Sequence, residues 1–88
     1  MKHYKIKVEG LVQGVWFRQS TQEKARELSL SGTVKNLPNG SVDIEAEGRE
    51  EDLQKLLDWC REGPEHAAVE DVIFIEGSLK NYRDFSIS

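Results

Sequence analysis

Cysteine is almost missing from this chain. Cys60 stands alone, so no disulfide can close within the molecule, and a reducing compartment, the cytoplasm, is the expected setting. Long apolar runs are missing as well, none approaching the roughly 20 residues of a membrane span. Met1-Lys2-His3-Tyr4-Lys5 runs straight into an alternating pattern, which leaves no secretory signal to read. There is no basic excess: 12 Lys and Arg against 16 Asp and Glu give a formal charge of −4. Nucleic acid and anionic membrane both call for a basic face, so neither is an expected partner. The histidines, His3 and His66, have no metal-ligand spacing with each other or with Cys60; no metal site is expected, and both rings are read as solvated.

What is present is ordinary for a soluble globular chain, 38% apolar and 32% charged residues. Residues 1–88 are of a length for one domain with one core, and a monomer is the default expectation. His3 to Glu9 alternates, with Tyr4, Ile6 and Val8 on one side and Lys5, Lys7 and Glu9 on the other, as in a half-buried strand. Phe17, Thr21, Ala25 and Leu28 share one helical stripe, which starts a helix near Phe17. Ser20-x-x-Glu23 is a competing capping box that starts it later. Ser31-Gly32 is expected to stop this helix.

Thr33 to Asn36 reads as a short strand, Leu37-Pro38-Asn39-Gly40 as a turn, and Ser41 to Glu47 as the second arm of a hairpin. A second helix follows Gly48, with Glu50, Glu51 and Asp52 in its first turn and Leu53, Leu56, Leu57 and Cys60 on its core stripe. Gly63-Pro64 ends it. Val69 to Ile75 makes a fourth strand, Gly77 to Arg83 a polar connection, and Phe85 with Ile87 a short last strand. The order β-α-β-β-α-β is that of an α+β ferredoxin-like sandwich, an antiparallel sheet with both helices on one face and a short extra C-terminal strand. Asp43, Glu45, Glu47 and the acids after them read as a solvated face, Cys60 as a core residue, and Trp59 as packing. Trp16 reads as packing too, although it is also placed to line the mouth of a site.

Between the first strand and the first helix lies Gly10-Leu11-Val12-Gln13-Gly14-Val15-Trp16-Phe17-Arg18, with two glycines, one arginine and no acid. Glycine allows backbone N–H groups to close on a ligand, and N–H groups beside a helix N-terminus form a concavity that suits an anion. The guanidinium of Arg18 matches phosphate oxygens in charge and shape. The loop has no Gly-Lys-[Ser/Thr], so it is not a Walker loop, and it is not a dinucleotide fingerprint. In the expected topology the first two parallel strands end at one edge, with Asn36 at the end of the second. One intervening strand would put the two ends roughly 10 Å apart, within reach of a substrate.

Gly10-x-Val12-Gln13-Gly14-Val15-x-Phe17-Arg18 resembles the first signature of the acylphosphatases, and Gly32-x-Val34-Lys35-Asn36-x-x-x-Gly40-x-Val42 with Gly48 resembles the second. The resemblance extends over nearly the whole chain. It implies hydrolysis of small acyl phosphates to a carboxylate and inorganic phosphate without metal or cofactor. Arg18 and Asn36 are implied as catalytic, Arg18 binding phosphate and Asn36 positioning water. Main-chain N–H groups of Gln13, Gly14, Val15, Trp16, Phe17 and Arg18 are implied as the phosphate cradle, which phosphate or sulfate would also fit. Two departures stand out: Thr33 replaces a usual aromatic, and Glu65-His66 replaces small residues. The Ser88 carboxylate is expected near Arg18 if the last strand ends at that edge. Two other classes compete: a phosphate-binding module without turnover, as when this domain is built into larger maturation proteins, and RNA binding on the sheet, which the outward Lys5, Lys7, Glu9 and the acids of the third strand disfavour.

Overall fold

Residues 1–88 are described by a computed structural model. They run β1 (Lys2–Leu11), α1 (Phe17–Glu27), β2 (Ser31–Asn36), β3 (Val42–Gly48), α2 (Glu50–Glu62), β4 (Ala68–Gly77) and β5 (Phe85–Ile87). The strands lie in the order β4-β1-β3-β2-β5. β1 and β2 each pair antiparallel with β3, so they run parallel to one another with β3 between them. Val8 faces Val42, and Val42 faces Asn36, which fixes the two strand ends at one rim. The ferredoxin-like α+β architecture follows. One detail corrects the expected sheet: β5 pairs parallel with β2, Gly32 opposite Phe85, so the sheet is mixed. The cause is the Ser78–Asp84 connection, which crosses from the β4 edge to the β2 edge and enters at the start of β2.

One face of the sheet supplies Tyr4, Ile6, Val8, Val34, Ile44 and Ala46, all buried, to a core shared with both helices. From α2 come Leu53, Leu56, Leu57 and Cys60, the stripe its spacing dictates. Burial pushes the Cys60 thiol up to about 12, so it behaves as a small apolar residue. Trp59 packs at 5.5 Å on the buried ring of Phe17, as expected of a packing residue.

The boundaries of α1 were the less legible part. It starts at Phe17, and Ser20 donates its N–H to Trp16 O at 3.0 Å from inside the first turn, so Ser20-x-x-Glu23 is not its cap. Trp16 has φ 66, a left-handed turn that sets the start. The helix ends at Glu27, with left-handed Ser29 (φ 59) turning the chain just beyond it, rather than at Ser31-Gly32, and both of those residues belong to β2. Gly32 serves the sheet: a Cβ there would collide with the main-chain oxygen of Glu45.

His3 and the acids of β3 also depart from expectation. Instead of lying in solvent, His3 and Glu47 are buried. His3 Nδ1 lies 2.7 Å from Glu47 Oε2 and Nε2 lies 3.0 Å from Glu45 Oε1. The Lys80 and Tyr82 main-chain N–H groups donate to Glu47, Lys80 Nζ donates to Glu45 at 2.7 Å, and the Tyr82 ring stacks on His3. The alternation does turn these side chains to the face away from the helices. What covers it is the Ser78–Asp84 connection, brought from far along the chain. His66 is exposed.

Candidate active site

The chain between β1 and α1 takes two left-handed residues, Gly14 at φ 74 and Trp16 at φ 66. A Cβ on Gly14 would meet nothing within 4 Å, so the backbone there faces open space. Gly10, by contrast, lies at a bulge in the β1–β4 pairing, where a Cβ would collide with the main chain of Ala68. The first turn of α1 holds no acid and carries Arg18, whereas that of α2 holds Glu50, Glu51 and Asp52. A cation at a helix N-terminus opposes the helix dipole, so the positive end of α1 and the guanidinium reinforce one another. The site is built to be electropositive.

Arg18 is held by the residue that follows the last strand. Its Nη1 donates to the main-chain oxygen of Ser88 at 2.9 Å, and Ser88 N–H donates to Val34 O at 2.9 Å, two residues before Asn36. Gln22 and Arg26 of α1 in turn donate to Phe85 O. Arg18, Gly14, Asn36, Trp16 and Ile87 line one cleft of about 320 Å³. Asn36, one of the lining residues, has a buried Oδ1 with no hydrogen-bond partner, an acceptor the fold itself does not use. No Asp, Glu, His or Cys lines the cleft, and no three such side chains converge anywhere as metal ligands.

Of the residues singled out from the sequence, Arg18 and Asn36 are brought together, with Gly14, Trp16 and Phe17 beside them. The side chains of Val15 and Phe17 turn into the core, and that of Gln13 turns to the β2–β3 hairpin. Trp16 is 72% exposed at the cleft mouth, so its role is not packing. Val12, Gln19 and Ile87 also line the cleft and were not anticipated. Ile87 arrives through the parallel register with Val34, which a three-residue strand does not announce in sequence.

A family model described as Acylphosphatase matches residues 4–87. The chain belongs to the acylphosphatase family. An acylphosphatase of Marinobacter nauticus is 51% identical over 86 residues, covering 97% of this chain and 94% of that one. The crystal structure of an acylphosphatase from Bacillus subtilis superposes with a TM-score of 0.97 at 40% identity, covering 100% of this chain and 99% of that one. An acylphosphatase structure from Coxiella burnetii gives 0.96 at 41% identity, covering 99% and 92%. Membership supports a hydrolase acting on small acyl phosphates, and the fold resemblance extends through the loop and the hairpin that carry the cleft.

Proposed function

We propose that this acylphosphatase hydrolyses the carboxyl–phosphate bond of small acyl phosphates without a metal ion. The phosphoryl oxygens sit on main-chain N–H groups between Gln13 and Arg18 and on the Arg18 guanidinium. Asn36 holds a water against phosphorus through its carboxamide, which both donates and accepts. The water oxygen bonds to phosphorus as the acyl oxygen leaves with the bonding pair, and the products are a carboxylate and inorganic phosphate. A carboxylate is stable as an anion, so the leaving group needs no strong acid. Phosphoryl transfer asks for positioning and charge stabilisation, which amides and one guanidinium supply. A comparable donor in an oxyanion hole is worth about 3–4 kcal/mol, roughly a hundredfold or more in rate.

The observation that carries this reading is a single cleft joining Arg18, an open left-handed Gly14 and Asn36, whose Oδ1 has no partner within the fold. The lining carries no Ser, Thr, Cys, His, Asp or Glu to serve as a nucleophile, which favours direct attack by water over a phosphoenzyme. A monomer in the reducing cytoplasm suits the lone, buried thiol. Phosphate release from acetyl phosphate and benzoyl phosphate, followed in EDTA, tests the reading. Turnover undiminished by chelator is expected; phosphate binding without hydrolysis of either compound would contradict it.

A further inference from the structure

The side chain of Gln13 makes contacts that a phosphate cradle does not require. Its Nε2 donates to Leu37 O at 2.8 Å and to Ser41 O at 2.9 Å. Both amide protons are therefore spent on the two ends of one turn. Ser41 O also accepts the Leu37 N–H at 2.9 Å, so three bonds tie Leu37, Ser41 and Gln13 into one knot. Leu37 directly follows Asn36. On its other side Asn36 is held by the β2–β3 ladder, opposite Val42. The Asn36 main chain is thus gripped between the sheet and a side chain from the phosphate loop, while its own buried Oδ1 is left unpartnered.

We infer that Gln13 is a positioning residue for the water step, registering the Asn36 carboxamide against the phosphate loop. This rests on the acylphosphatase reading above and gives Gln13 a second role in it, through a side chain that never touches the reacting atoms. The two halves of the site are also linked through β3, between β1 and β2, and by way of Arg18, Ser88 and β2. The phosphoryl group sits on the loop and the water on the hairpin, so their separation depends on a loop-to-hairpin contact. An error near 1 Å in such a separation costs about a hundredfold in rate.

A double-mutant cycle on turnover of benzoyl phosphate is the test, with Gln13→Met removing both donors at nearly constant shape. Gln13→Met is expected to lower kcat about tenfold to a hundredfold. In an Asn36→Ala background the same change is expected to cost less than about twofold, because the group it positions is gone. Equal losses in both backgrounds would overturn the inference and mark Gln13 as a general scaffold residue, as would undiminished kcat in Gln13→Met. Gln13→Ala, checked by thermal melting, gives a second arm of the cycle should the Met variant fold poorly. A parent without turnover overturns the acylphosphatase reading itself, an outcome distinct from either result of the cycle.

Discussion

Gly10 and Gly14 look alike in the sequence, and their neighbours in space separate them. Gly10 sits against the Ala68 main chain, and Gly14 opens onto the cleft. Gly14→Ala then carries only the backbone cost of a left-handed alanine, about 1 kcal/mol. Gly10→Ala adds a collision with main chain that cannot rotate aside, about 1–3 kcal/mol more. Urea denaturation should rank Gly10→Ala clearly below Gly14→Ala in stability; the reverse order would contradict the two roles. Both glycines could be seen in the sequence as loop formers. That one of them is a strand contact depends on β4, more than fifty residues later. Arg18 was legible for a simpler reason: an acid-free helix start bearing a cation is a local pattern.

At the level of elements, the Ser78–Asp84 connection is pinned across the sheet by charged side chains. Burial alone pushes the Glu47 carboxyl up, but the Lys80 amide, the His3 ring and the Tyr82 amide together bring it below its ordinary 4.5. Glu45 follows the same course: burial raises it, and the Lys80 hydrogen bond and charge, with His3 and Lys5, more than offset this. A carboxyl whose folded value lies below its unfolded one adds stability that is complete above the unfolded value. That stability drains away as pH falls through the folded value. Thermal melts from about pH 7 to about pH 3 should therefore show a loss beginning near 4.5. Glu47→Gln should cost about 1–3 kcal/mol at neutral pH and flatten the acid loss; an unaltered acid profile would show that the pin does not matter. The strand alternation placed His3, Glu45 and Glu47 on the face away from the helices. It carried no sign of the connection that covers them, because that contact is tertiary. Element order and type were legible for the complementary reason that stripes and alternation are local.

For the whole molecule, the central claim is that one sheet topology gathers a phosphate grip and a water holder from separate stretches of chain. β3 between β1 and β2, the parallel β5, and the tie from Arg18 through Ser88 to Val34 place Arg18 and Asn36, the residues proposed for these roles, at one rim. Meeting at that rim could be argued from the element order. The tether through Gln13 and the wall at Ile87 could not, since both depend on register. Thr33 carries its departure quietly: its hydroxyl lies 3.2 Å from that of Ser88, a polar contact on the open side of the β2–β5 pair. The most direct test measures inorganic phosphate affinity by calorimetry together with acyl-phosphate turnover for the parent, Arg18→Ala and Asn36→Ala. The account predicts that Arg18→Ala loses both binding and turnover, and that Asn36→Ala keeps binding while turnover falls about a hundredfold or more. Full turnover in Asn36→Ala, or parental phosphate affinity in Arg18→Ala, would contradict it.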